Sequence, residues 1–314
     1  MSIKVLKAGL LTTVQDLGRC GYREFGIATN GVLDEYSCEI ANWLVGNDKN
    51  QAVLEVTHIG PTLEFTTAVT VGIAGAKFDI YINDQQVMMN STLHLKKGDV
   101  LKFGKLHTGA RAYVAFAGRL TIKPVMGSAS TSLLANFGGL EGRALKDGDV
   151  IDIEPADFTD SRVTPSELSE EHHHNLLQNH IIARVTEGRE FSQLSSSSQA
   201  RLLESNYEVT SFSNRMAIKL DGEALELSED LSMTTTAIVA GTIQLPPNGQ
   251  PIITLADGQT AGGYPRIGQV ISADLSLLAQ LKPNDTLSFY QVDIQKAVET
   301  LKAKNQYIKQ VLTS

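Results

Sequence analysis

Only two cysteines, Cys20 and Cys38, occur in 314 residues. They show none of the paired spacings of a zinc or dithiol redox site, and the expectation is a reduced, cytoplasmic protein with no metal. Positive charge is also short. Lys and Arg number 27 against 35 Asp and Glu, a net charge of −8, whereas a nucleic-acid binder needs a basic face. No apolar run reaches the roughly 18 residues of a membrane span. Met1-Ser2-Ile3-Lys4-Val5 enters an alternating strand and carries no signal-peptide apolar stretch. No Gly-Lys-Ser/Thr closes a glycine-rich loop, so an ATP-binding P-loop is excluded.

What is present is a mainly β pattern in a chain whose apolar content, 42%, suffices for real cores. Short apolar runs recur between turn residues: Val69–Ala74, Phe78–Ile82, Arg111–Ala117, Ile151–Ile153, Tyr207–Phe212, Ile252–Leu255 and Thr286–Val292. Asn83-Asp84 between two of them marks a hairpin. Lys97-Gly98-Asp99-Val100-Leu101, Asp147-Gly148-Asp149-Val150-Ile151 and Pro283-Asn284-Asp285-Thr286-Leu287 each set a tight turn before an apolar strand. Their recurrence in both halves suggests two related β domains, residues 1–155 and 180–314, joined by a polar linker at 156–179. That linker contains His172-His173-His174; consecutive histidines cannot all face one ion, so the segment reads as solvated chain. Helical spacing appears at 35–45, capped by Asp34 and ended by Gly46, at 274–281, stopped by Pro283, and at 294–312. Ser195–Ser198 reads as a loop.

Polar groups concentrate in four places. Pro246 to Pro265 is rich in proline and glycine around an apolar stretch, Pro251–Leu255, that reads as a short buried strand. Asn248 lies before it, and Asp257, Gln259 and Thr260 lie after it. These side chains suit an amide, lactam or ureido group: Asn248 and Gln259 read its N–H and C=O, Asp257 accepts a proton or orients a partner, and Thr260 adds a hydroxyl. The stretch Thr12 to Tyr22 places Gln15, Asp16 and Arg19 near glycines. Arg19 either presents its guanidinium to a carboxylate or phosphate or pairs with Asp16. Gly31-Val32-Leu33-Asp34 runs into a helix N-terminus, where Asp34 is the cap. Gly127 to Ser132, including Ser128, offers glycine and hydroxyls for an anion-binding nest or for a plain turn.

Read together, these segments resemble the KipA family, also called allophanate hydrolase subunit 2 or the biotin-dependent carboxyltransferase-like family. The resemblance rests on several boxes in order: Thr12-Thr13-Val14-Gln15-Asp16 with Gly18-Arg19 and Gly21-Tyr22; Ala41-Asn42 with Gly46-Asn47; Leu54-Glu55 with Thr57 and Gly60-Pro61; Arg111 with Tyr113; Gly127-Ser128 with Ser130-Thr131; Asn214-Arg215-Met216; Gly241 with Ile243-Gln244, Pro246, Asn248-Gly249 and Pro251; Asp257 with Gln259-Thr260 and Gly262-Gly263-Tyr264-Pro265; and Ala273-Asp274 with Ala279-Gln280. It implies two cyclophilin-like β-barrel domains with a few short helices and a C-terminal helix. Bacterial members include the C subunit of 5-oxoprolinase. The implied activity is ATP-dependent opening of 5-oxoproline to L-glutamate, with a KipI-type partner (the B subunit) and a third partner (the A subunit), and with little activity expected of this chain alone. The family also covers the carboxyltransferase part of urea carboxylase, where biotin arrives on another chain, and regulatory proteins that oppose a KipI-type kinase inhibitor. No Ala/Val-Met-Lys-Met biotin-attachment motif occurs here. For such a lactam or urea substrate, the residues read above place Asp257 and Asn248 in catalysis and Arg19, Gln259, Thr260, Gln15 and Ser128 at the substrate. Where the family commonly has Asp-Arg-Met-Gly, this chain has Asn214-Arg215-Met216-Ala217, without the acid.

Overall fold

The computed structural model describes residues 2–165, 179–229 and 233–313, so the histidine run 172–174 lies outside it. Two compact units emerge, Met1–Cys20 with Asn30–His173 and Gly21–Thr29 with His174–Ser314. Each is mainly β.

Ten strands build the first unit: β1 (Ser2–Lys7), β2 (Leu11–Gln15), β3 (Val53–Thr57), β4 (Thr62–Phe65), β5 (Val69–Ile82), β6 (Gln85–Val87), β7 (Thr92–Leu95), β8 (Val100–Phe116), β9 (Gly118–Leu120) and β10 (Val150–Pro155). They form one sheet, in the order β2-β3-β8-β4-β1-β10-β9, with β5 paired to β6, β7 and β8. The runs Val69–Ala74 and Phe78–Ile82, separate in the sequence pattern, are one 14-residue strand. Register shifts between Gly75 and Ile80 let it bend without ending. Alternation then decides which side chains enter the core. Ile3 and Val5, Leu63 and Phe65, Val71 and Ile73, and Ile151 and Ile153 are all buried in one cluster. Burial of each such side chain is worth about 1.5–3 kcal/mol. Residues after β10 stay on this unit: the Arg162 guanidinium stacks 5.1 Å from the Trp43 ring and 5.0 Å from Phe158.

The second unit contains a closed barrel. Its strands are β11 (His180–Glu187), β12 (Tyr207–Val209), β13 (Ala217–Asp221), β15 (Thr242–Gln244), β16 (Ile252–Thr254), β18 (Arg266–Val270) and β19 (Thr286–Gln291), beside a small ribbon of β14 (Thr236–Ala237) and β17 (Ala261–Gly262). The barrel order is β11-β18-β15-β16-β13-β12-β19. Closure comes from the parallel pair β11–β19, His180 beside Thr286 through Val185 beside Gln291. Closing a sheet leaves no open edge. Inside, Ile181, Ala183 and Val185 face the core while Ile182 stays 58% exposed, and the Tyr207 and Phe289 rings lie 5.7 Å apart.

Helices are few. In α1 (Glu35–Leu44), Asp34 caps the start by accepting the Ser37 amide at 3.0 Å, and Gly46 follows the end. The expected loop at Ser195–Ser198 is instead the start of α2 (Ser196–Glu204): Ser195 is its N-cap and accepts the Ser198 amide at 3.2 Å. The serine run hid a helix because serine is a weak helix former everywhere except at this end. The short α3 (Leu275–Leu278) follows a 3₁₀ turn, Ser272–Asp274. The C-terminal α4 (Ile294–Thr313) buries Ile308, while Ile294 remains 74% exposed.

The repeated turn is one structure used three times. At each copy the aspartate side chain accepts the backbone amide of a lysine three residues earlier: Lys96 to Asp99 at 2.7 Å, Lys146 to Asp149 at 2.7 Å and Lys282 to Asp285 at 3.0 Å. The residue before the aspartate has positive φ, 88° at Gly98, 89° at Gly148 and 71° at Asn284. Glycine and asparagine are the residues that take this conformation at least cost.

Candidate functional site

Of the seven residues assigned from sequence, Gln15, Arg19 and Ser128 lie in the first unit and Asn248, Asp257, Gln259 and Thr260 in the second.

In the first unit, the Gly127–Ser132 segment folds around the Asp16 side chain. The Asp16 carboxylate accepts Ser128 Oγ at 2.6 Å, Ser130 Oγ at 2.5 Å and the Ala129 amide at 2.6 Å. The Ser128 hydroxyl is thereby committed. Arg19 is 1% exposed. It donates to Asn30 Oδ1 and to the Ser130 carbonyl and lies 4.7 Å over the Phe137 ring. Gln15 is fully buried and donates to Thr13 Oγ1 at 3.1 Å and the Thr131 carbonyl at 3.3 Å. These three side chains fasten β2 to the 128–131 segment.

The same unit holds a polar cluster of residues that were quoted for the resemblance or as a helix cap and given no site role. Glu55, in the middle of the fully buried β3, accepts Tyr113 Oη at 2.9 Å and the Leu33 amide at 2.9 Å, with Arg111 Nε 3.9 Å from its other oxygen. The Asp34 amide donates to Tyr113 Oη at 2.8 Å. Burial, reinforced by Glu55 and Asp34, holds the Tyr113 phenol well above its ordinary pKa. Burial with the same acids pushes the Cys38 thiol up, which keeps it from reactive thiolate chemistry. A lone carboxylate inside an apolar run was the available signal.

In the second unit, β16 separates the assigned residues. At one end, Pro246–Gly249 makes a turn closed by the Gly249 amide on the Pro246 carbonyl at 3.0 Å. Asn248 is exposed on it and accepts the Gln250 amide at 3.2 Å. At the other end, the Asp257 carboxylate receives Arg215 Nε at 2.9 Å and Nη2 at 3.0 Å, with both side chains under 5% exposed. Asn214 accepts the Met216 amide at 2.8 Å. The Asp257 amide donates to the Arg215 carbonyl at 3.2 Å, so main chain and side chain both fix the loop that carries Gln259 and Thr260. Gln259 is exposed; Thr260, half-buried, accepts the Ile238 amide through its carbonyl at 2.9 Å. The structure therefore brings Asp257, Gln259 and Thr260 into one loop and leaves Asn248 at the far end of the strand. Gly262 is closely packed: a Cβ placed on it would lie 2.5 Å from Ile238 Cδ1, 2.9 Å from Gln259 Nε2 and 3.3 Å from Nε2 of Gln244, at the end of β15.

Residues 25–291 match the family model of the carboxyltransferase domain, subdomain A and B. The chain belongs to this carboxyltransferase family. Within it, the chain is 37% identical to the C subunit of 5-oxoprolinase from Escherichia coli K12, over 98% of its own length and 97% of that protein's. It is 32% identical to the corresponding C subunit from Haemophilus influenzae, over 98% and 97%. The crystal structure of the K. lactis urea amidolyase superposes with a TM-score of 0.93 at 28% identity, over 99% of this chain but 20% of that one. The family fold is accordingly the one described above, mainly β with few helices. The designation of the bacterial relatives as C subunits implies further subunits in their enzyme.

Proposed function

We propose that this chain is the C subunit of a cytoplasmic, ATP-dependent 5-oxoprolinase and helps to hydrolyse 5-oxoproline to L-glutamate with a KipI-type B subunit and a third, the A subunit. The observation that carries the reading is the similarity to two bacterial C subunits, 37% and 32% identical over 97% of the length of each. Hydrolysis breaks the ring C–N bond, places the oxygen of water on the carbonyl carbon and returns its proton to nitrogen. A lactam resists this, and ATP hydrolysis by the complex supplies the activation, for example by phosphorylation of the carbonyl oxygen. The work left to this chain is to bind and orient the amide, for which uncharged hydrogen-bonding groups are suited. Gln259 and Thr260 bind substrate in this reading. Asp257 is a positioning residue, because its carboxylate is held two-pronged by Arg215 and it steadies the Gln259 loop. Asn248, Gln15, Arg19 and Ser128 shape loops.

The test is reconstitution with co-expressed B and A subunits and assay of glutamate release from 5-oxoproline with ATP. Gln259→Leu, an exposed change, is expected to raise KM about tenfold or more, and Asp257→Asn to lower activity. Full activity in both variants removes these roles, and absence of glutamate release by the wild-type complex removes the function. A second reading, the carboxyltransferase component of a biotin-dependent urea or amide carboxylase, is favoured by the superposition on urea amidolyase. Carboxylation of urea in the presence of a biotinylated carrier, without glutamate release, would select it.

A further inference from the structure

The segment Thr236–Ile238 carries the loop assigned to the substrate. β14 pairs with β17, Thr236 beside Gly262 and Ala237 beside Ala261, and the Ile238 amide donates to the Thr260 carbonyl at 2.9 Å. The start of the loop has its own anchor in the Arg215–Asp257 pair, so its far end, with Gln259 and Thr260, follows the position of residues 236–238. A ribbon of two residues per strand is not stable by itself in water. Two guanidinium groups fasten it. Arg266 donates through Nη1 to the Ala237 carbonyl at 3.3 Å, while its Nε and Nη2 grip Glu190 at 2.9 and 2.8 Å. Arg23 donates through Nη2 to the Ile238 carbonyl. Ile238 is 1% exposed, and a buried carbonyl without a donor is costly, whereas a charged donor makes a strong bond.

Arg23 reaches this ribbon from 215 positions away. It belongs to Gly21–Thr29, which is counted with the second unit although Cys20 and Asn30 on either side belong to the first. The excursion is a built loop. Arg23–Phe25 is a 3₁₀ turn, with the Phe25 and Ile27 amides on the Tyr22 carbonyl at 3.1 and 3.3 Å and the Gly26 amide on that of Arg23 at 3.0 Å. Arg23 Nη1 lies 3.4 Å from Thr29 Oγ1, so the loop braces its own guanidinium. The barrel closes on its seven strands without this loop. We propose that Arg23 is a positioning residue for the substrate loop: it fixes Ile238 and, through the Ile238–Thr260 hydrogen bond, sets the place of Gln259 and Thr260. Gly21–Thr29 is the strap that delivers it. What Gln259 and Thr260 bind is taken from the reading above; the fastening stands on the hydrogen bonds alone.

The experiment reads two quantities. Amide hydrogen exchange of the full-length chain is followed at 258–262 and, for comparison, in β11 and β19. Glutamate release from 5-oxoproline with ATP is followed in the complex reconstituted with the B and A subunits. Arg23→Met removes the donor and keeps an apolar stem. It is expected to speed exchange at 258–262, to leave β11 and β19 as in the wild type, and to raise KM for 5-oxoproline about fivefold with kcat within about twofold. Arg23→Lys is expected to restore most of both, because an ammonium also donates to a carbonyl. In a Gln259→Leu background, Arg23→Met should raise KM less than it does alone, because one group through which it acts has gone. Unchanged exchange at 258–262 overturns the proposal. So does equal acceleration in β11 and β19, since Arg23 would then support the barrel as a whole. Faster exchange confined to 258–262 with an unchanged KM, in a complex that releases glutamate, overturns the role in substrate binding, and so do equal KM increments with and without Gln259. If exchange at 258–262 rises but the wild-type complex releases no glutamate, the strap stands and the 5-oxoprolinase reading falls.

Discussion

Asp257 shows how far a residue can be read before its neighbours are known. Its carboxylate, next to glycine and glutamine, suited a proton acceptor, yet the fold places Arg215 against it in a buried two-point pair. The partners are 42 positions apart, and only the pairing of β13 with β16 brings them together. Breaking a buried pair by removing one member costs more than the pair is worth, because the other charge remains buried. Asp257→Ala is therefore expected to lower unfolding free energy by about 3–5 kcal/mol. The double variant Asp257→Leu, Arg215→Met should lose less than Asp257→Ala alone, measured by chemical denaturation. An equal or greater loss in the double variant would show that the pair contributes more than it costs to desolvate. Glu55 was less visible still, since it looks like one polar interruption of an apolar strand. Ser128 and Arg19 were legible as polar loop residues. Their partners, Asp16 for one and Asn30, Ser130 and Phe137 for the other, depend on non-local packing.

Elements set by local chemistry were the ones legible in the sequence. Asn83 and Asp84 take φ of 50° and 63°, the conformation of a tight hairpin turn, between β5 and β6. Asp34 caps α1 as its position suggested, and the thrice-used aspartate turn precedes β8, β10 and β19. The closure of the barrel was not legible: β11 and β19 pair in parallel, His180 beside Thr286, and no local pattern specifies so distant a partner. The start of α2 was missed for a different reason, since a serine run fits both a loop and a capped helix. Ser195 is the deciding residue, with its Oγ on the Ser198 amide at 3.2 Å and on Ser198 Oγ at 2.9 Å. Ser195→Ala should cost about 1 kcal/mol, while Ser195→Asp should retain most of the stability because aspartate also caps. Thermal melts of the two variants check this; no loss in Ser195→Ala would mean that the cap contributes nothing.

Across the whole molecule, the paired side chains set the pH range in which the chain stays folded. Glu190 is held below the ordinary carboxyl value by the Arg266 guanidinium, Asp149 by that of Arg143, and Asp99 by the Lys96 amide and Asn83. A carboxyl depressed in the folded state adds stability that is fully present above its unfolded value and is lost as pH falls through its folded value. Their unperturbed values are 4.5 for Glu190 and 3.8 for the two aspartates. Stability should thus decline below about pH 4.5, and Glu190→Gln should remove part of that slope in melts taken across the acid range. The alkaline limit has the opposite origin. Burial pushes the Tyr207 phenol from 10.0 to about 12, and Tyr113 is displaced upward as well. The folded chain holds those protons more tightly than the unfolded one, so their contribution is intact below pH 10 and shrinks as pH rises from 10 through about 12. Tyr207 packs on Phe289 across β12 and β19, the strands beside the barrel closure, so its ionisation would put a charge into the barrel wall. Phenolate absorbance and far-ultraviolet circular dichroism, recorded together from about pH 9 to about pH 13, are expected to change in step for the wild type. Tyr207→Phe should move the loss of structure to higher pH. Phenolate formation at Tyr207 near its ordinary value, ahead of any loss of structure, would show that the ring is not sealed in the barrel.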